Sequence, residues 1–221
     1  MDTLSLLALG LGAAWASGIN LYAAVLLLGG LHAVGLIPLP PDLEVLSHPA
    51  VLIVAGFLYV VEFIADKVPG VDTMWDAVHS FIRIPAGALL AAGAIGSYGE
   101  GYEVAAALLA GGALAATSHA AKASGRLVVN TSPEPFSNWA VSFVEDLLVL
   151  GGLFLALFKP ALFLVLLGAF VLAAIWLLPK LWRGLRQLFG GRKRKVGTEA
   201  PGLPLDFGAI RDKDVPPPGN N

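Results

Sequence analysis

Cysteine is absent from the 221 residues, which excludes disulfides, thiolate metal sites and a cysteine nucleophile. Charge is scarce as well. Asp, Glu, Lys and Arg make up 14% of the chain and hydrophobic residues 57%, whereas soluble globular domains carry roughly 25% charged residues. Mean hydropathy is +0.76. A chain so poor in charge is expected to be an integral membrane protein partnered by the lipid bilayer. The composition excludes a nucleic-acid binder, a disordered chain and a secreted disulfide scaffold. Met1 is followed by Asp2 rather than by a basic segment, so no cleaved signal peptide is expected.

The few charges are unevenly placed. Residues 1–179 hold 5 basic and 12 acidic side chains, residues 180–195 hold 7 basic and no acidic ones, and residues 196–221 hold 2 basic and 4 acidic ones. A short basic block on an otherwise acidic chain reads as a cytoplasmic membrane flank. Three regions follow: a transmembrane bundle over 1–180, a basic amphipathic interfacial segment over 181–195, and a disordered cytoplasmic tail over 196–221, rich in Pro and Gly. Arg183, Arg186 and the basic run 192–195 alternate with Trp182, Leu185, Leu188 and Phe189, a pattern suited to anionic lipid headgroups.

Between Asp2 and Asp42 no residue is charged. The apolar run 4–34 would be about 46 Å long as one helix, more than the roughly 30 Å hydrocarbon core. Ser17-Gly18-Ile19-Asn20 interrupts it. The spacing predicts a long kinked or broken first helix, with a tight re-entrant hairpin as the alternative. Prolines at 38, 40 and 41 place a loop before a second helix opened by Pro49 and ending near Lys67. A third helix begins near Asp72 and meets Pro85, where a kink is expected. A fourth runs from Val104 to about Ala123, followed by a polar loop over 124–136. A fifth spans Asn138 to Phe158, and a sixth Pro160 to Leu178, stopped by Pro179.

Six spans with both termini cytoplasmic satisfy the positive-inside rule, since the second–third and fourth–fifth connections carry Lys67, Lys122 and Arg126. The class is therefore all-α, a polytopic helical bundle of about six transmembrane helices. W-A-S-G-I-N at 15–20 echoes K-A-S-G-R-L at 122–127, which leaves an internal repeat of the transporter kind open beside chance similarity. The composition is also compatible with a homo-oligomer.

Three stretches carry a resemblance: S-G-I-N-L-Y-A at 17–23, E-F-I-A-D-K-V-P-G-V-D-T-M-W-D-A-V-H at 62–79 and N-T-S-P-E-P-F-S-N at 130–138. Over roughly residues 4–180 the chain resembles the bacterial membrane family known as domain of unknown function 4126. That resemblance implies a small polytopic protein of the bacterial cytoplasmic membrane and no established activity.

The polar residues gather at one end of the expected bundle. Glu62, Asp66 and Lys67 close the second helix. Asp72, Asp76, His79 and Arg83 form one stripe of the third, at i, i+4, i+7 and i+11. His119, Lys122, Arg126, Asn130 and Glu134 close the fourth and its loop, Glu145 and Asp146 lie inside the fifth, and Asn20 marks the break in the first. Ionised groups at that depth cost several kcal/mol unless paired or hydrated, so Arg83 is expected to face Glu145 or Asp146.

A dozen such groups exceed what helix register requires. They point to a transporter or channel-like protein with a polar pocket in the cytoplasmic half. Asp66, Asp72 and Asp76 also allow a magnesium-dependent enzyme acting on a lipid or prenyl phosphate, with Lys122 and Arg126 as phosphate binders. Helix capping explains the same carboxylates, and neither a metal nor a cofactor is expected. A non-catalytic scaffold is the third reading.

Overall fold

The computed structural model describes residues 1–68, 70–130 and 135–190. The described residues are helical throughout their regular structure: α1 (Thr3–Ala33), a 3-10 helix (Pro41–Ser47), α2 (Pro49–Ala65), α3 (Val71–Ile95), α4 (Gly101–Val129), α5 (Pro135–Phe158) and α6 (Pro160–Gly190). Five of them, α1 and α3 to α6, are long and apolar enough to cross a membrane. The 3-10 helix and α2, bent by 62°, make a sixth such segment. The expected all-α polytopic bundle is what forms. Its outer surface carries Ile53, Phe81, Leu109 and Leu172, each more than two-thirds exposed, as a lipid-facing surface requires.

α1 is the hub. Asp2 caps it by accepting the Ser5 amide N–H at 2.9 Å. The helix is broken at Asn20, whose φ of −146° and ψ of 95° are extended. The break reverses the chain. Gly10 packs on Ala91 and Ala94, near the C-terminal end of α3. Ser17 lies further along α3 and donates to the Arg83 carbonyl at 2.7 Å. Gly29 nevertheless meets Leu46 and Leu52, and the 3-10 helix containing Leu46 puts Leu43 and Asp42 on Gly93 and Gly96, back at the C-terminal end of α3. The two arms of α1 therefore form a re-entrant hairpin with its tip at Asn20. This resolves the two alternatives left by the sequence.

The hairpin brings both ends of α1 to the same end of the bundle. Thr3 and Leu6 share a cavity of about 520 Å³ with Ile95, Tyr98 and Glu103, so the chain starts beside the α3–α4 turn. α1 enters and leaves at one end. The remaining five segments run between the two ends of the bundle, and α6 finishes at the other end.

Helix boundaries shift too. α4 continues through Ser124 and Gly125 to Val129, where a loop was expected, so Arg126 is helical and points inward. The echo between 15–20 and 122–127 thus pairs a helix break with a regular helix and marks no shared geometry. α3 stays continuous across Pro85 and α6 across Pro179. The basic segment 181–190 is therefore the end of α6 rather than a separate element. Residues 191–221 lie outside the described chain, and the tail expected there with them.

Close packing holds the hairpin in place. A Cβ on Gly18 would fall 2.3 Å from the Ala115 carbonyl and 2.0 Å from Ser118 Oγ, which admits glycine alone. Small residues let transmembrane helices approach this way. Gly18→Ala is expected to destabilise the fold by roughly 1–3 kcal/mol through overpacking, read as a lowered midpoint in detergent thermal unfolding. Single cysteines replacing Asp2 and Glu100 should be labelled from the same side of the membrane, and one replacing Arg183 from the opposite side.

Candidate functional site

The hairpin tip exposes backbone that a continuous helix would satisfy. Asn20 caps the returning arm, its side-chain oxygen accepting the Ala23 N–H at 2.9 Å, and its amide donates to Asp146 Oδ1 at 2.9 Å. The carbonyls that end the descending arm find other partners. Lys122 Nζ donates to the Ile19 carbonyl at 3.1 Å, and His119 Nδ1 lies 3.3 Å from the Gly18 carbonyl. A cation thus sits at a helix C-terminus and an anion near a helix N-terminus, the arrangement helix dipoles favour.

Below the tip the charged side chains of four helices form one network. Arg83 pairs with Glu62 and Asp76, each at 2.7 Å. Lys122 reaches Asp66 at 3.1 Å and Glu62 at 3.2 Å. Arg126 binds Asp66 at 3.0 Å and holds Glu145 through Nε and Nη2. Glu62 and Arg83 have no solvent exposure, and Arg126 is 1% exposed. Such a network forms because each charge is too costly alone in an apolar bundle.

The expected partner of Arg83 is corrected. Glu145 faces Arg126, and Asp146 is held by Asn20 and by the Tyr59 hydroxyl at 3.3 Å. α1 packs against both α3 and α5 and separates Arg83 from the acids of α5. The three aspartates do not converge. Asp66 and Asp76 belong to the cations, and Asp72 accepts from the Gly70 and Thr73 amides and from Asn130 Nδ2. Among the described residues no three carboxylates or histidines could hold a metal together.

Lys67 also departs from the cluster. It bonds the Phe63 carbonyl at 3.0 Å and lies over the Phe63 ring. His79 joins an aromatic group, stacked on Trp75 and edge-on to Tyr22. Glu134 lies outside the described residues. His119 stays with the network: Ser80 Oγ is 2.6 Å from its Nε2 and Arg83 Nη1 is 3.5 Å from its Nδ1. A neutral ring with hydrogen on Nδ1 donates to the Gly18 carbonyl and accepts from the Ser80 hydroxyl at Nε2.

Asn130 also joins Asn138 at 2.9 Å, so the α2–α3 turn and the start of the α4–α5 connection meet as expected. Tyr59 and Ser80 belong to the site without having been singled out. A polar residue in an apolar run was the signal available for each.

The carboxylates are in excess. Glu62, Asp66, Asp72, Asp76, Glu145 and Asp146 stand against Arg83, Lys122 and Arg126. Glu62 Oε2, Asp66 Oδ1 and Asp76 Oδ2 are buried and accept no hydrogen bond.

Arg83→Met should cost roughly 3–5 kcal/mol, since it leaves buried acids unpaired. Adding Glu62→Gln should recover part of that loss, and adding Glu145→Gln should not. Chemical or thermal unfolding of the purified variants decides between the two.

No curated protein and no solved structure matches this chain. A family model matches residues 7–180, the region holding the hairpin, the charge network and all but the last turns of α6, so the chain belongs to the family described as a domain of unknown function (DUF4126).

Proposed function

We propose that this protein is a small membrane transporter whose translocation site lies where the hairpin tip meets the charge network. One observation carries the reading: a helix broken at mid-bundle, with its end carbonyls turned onto a buried network richer in acid than in base. Broken helices that present backbone dipoles to charged ligands near the midplane are a recurrent transporter design, and intramembrane ionisable groups mark ion or substrate paths. Movement of α1 against α3, α4 and α5 would open the site, since α1 touches every other helix of the bundle.

The charge distribution supports a bacterial cytoplasmic membrane location with the charged end inside. Lys67, Lys180, Arg183 and Arg186 lie toward that end and Lys159 at the other, as the positive-inside rule requires. On this assignment the N-terminus is outside. Lys180 lies over the Trp176 ring at 3.1 Å and Arg186 within 5.9 Å of Trp182. Such cation–aromatic pairs suit the interface with anionic headgroups.

A non-transporting scaffold is the second reading, favoured by how completely Arg83, Lys122 and Arg126 are buried and paired. Asp72 is held by Asn130 while Asp66 and Asp76 turn onto Lys122, so the aspartate triplet of a metal-dependent phosphate enzyme is not assembled.

Thiol accessibility separates the two readings. A cysteine replacing Ser17 or Ser118, both buried at the tip, should react with a charged, membrane-impermeant thiol reagent from both faces in oriented vesicles. Reaction from neither face would favour the scaffold, and reaction from one face alone would mean a closed pocket without a path across.

A further inference from the structure

We propose that the oxygens beneath the hairpin tip form a monovalent-cation site, and that Lys122 is its tethered resident cation. The proposal goes beyond the transport reading and does not need it, because it concerns binding at equilibrium.

Five oxygens surround Lys122 Nζ: the Ile19 carbonyl at 3.1 Å, Asp66 Oδ2 at 3.1 Å, Glu62 Oε1 at 3.2 Å, Asp76 Oδ1 at 3.6 Å and Glu145 Oε2 at 3.6 Å. They come from α1, α2, α3 and α5, while the lysine enters from α4. An ammonium has three N–H donors, which the three nearer oxygens occupy. The two at 3.6 Å are held by charge alone. A pair that served only to set helix register would need one acceptor, not five drawn from four helices.

The construction of the cage points the same way. The Ile19 carbonyl is available because the helix breaks at Asn20, the device by which membrane proteins offer backbone oxygens to cations. Glu62 Oε2, Asp66 Oδ1 and Asp76 Oδ2 are buried with no donor, so three of the four cage carboxylates keep unused acceptor capacity. The side-chain exposure of Lys122 is 1% and that of Glu62 0%, which makes the site dry enough for charge to count. Divalent ions need oxygens at roughly 2.0–2.6 Å. Spacings of 3.1–3.6 Å around the centre fit an ammonium-sized monovalent charge instead. Lysine supplies that charge as a compact point on a flexible stem.

Removing the lysine side chain should therefore create a site for a dissolved cation. Lys122→Met is purified in detergent, and its unfolding midpoint is followed through tryptophan fluorescence in potassium, sodium, ammonium or methylammonium chloride. Choline chloride at the same ionic strength is the control for screening. The expected result is a saturable rise on the order of 5 °C with at least one small cation, at concentrations about 100-fold above its dissociation constant, with choline inert and the wild-type protein flat. An unchanged midpoint in all salts would overturn the proposal, as would an equal rise in the wild type. Should Lys122→Met not accumulate, Lys122→Met with Asp66→Asn removes one charge of each sign and should show a smaller rise with the same cation preference. Cells supply potassium throughout folding, so failure of both variants to accumulate would also overturn it. None of these outcomes depends on flux, and the thiol-accessibility test of transport stands or falls separately.

Discussion

Charge that cannot face lipid is the constraint on which this bundle depends. Arg83, Lys122 and Arg126 project from α3 and α4 into an interior with little water, and each would cost several kcal/mol if left alone. Their partners come from α2, α3 and α5. Because the pairs interlock, no one of these helices can rotate or slide without breaking a contact to another. The network sets register, holds the α2–α3 and α4–α5 connections together, and places a concentration of charge directly under the hairpin tip.

The hairpin is possible because its neighbours are small where it passes them. Gly10 lies against Ala91 and Ala94, Gly87 against Ala115, and Gly152 against the Trp15 ring. In lipid, where apolar surface gains nothing from leaving solvent, such close contact supplies much of the association energy. The tip then needs polar partners for the backbone groups it frees. Lys122, His119 and the Asn20 side chain supply them. Packing by small residues and satisfaction by charged ones are thus two halves of one arrangement, and both bring the bundle's polar chemistry to the same depth.

Much of this was legible in the residues. The break at Ser17–Asn20, the turn at Pro49, the polar stripe of 72, 76, 79 and 83 and the gathering of Glu62, Asp66, Lys122 and Arg126 all follow from apolar periodicity interrupted by groups that lipid rejects. Other points were not legible. Ser124-Gly125 reads as a helix end, yet α4 continues, because burying Arg126 against Asp66 and Glu145 outweighs the low helix propensity of one glycine. Pro179 reads as a stop, yet α6 passes through it. Lys67 reads as part of the cluster, yet it turns toward the Phe63 carbonyl. It sits in the turn after α2, with its ammonium over the Phe63 ring.

The sequence by itself determined the membrane class, the positions of most helices, the location of the break and the identity of the charges that must find partners. All of these are local or compositional, set by hydropathy, backbone chemistry and the cost of an ion in lipid. Only the tertiary structure decided that the first helix doubles back, that Thr3 and the end of α6 lie at opposite ends of the bundle, and that Arg83 pairs with Glu62 and Asp76 rather than with the acids of α5. A single extended residue at Asn20 is compatible with either a kink or a reversal. Which one forms depends on where the 3-10 helix and α2 can pack, at Gly29, Gly93 and Gly96. Which acid meets which cation depends on the face each helix turns inward, and that is settled by contacts between segments distant in sequence.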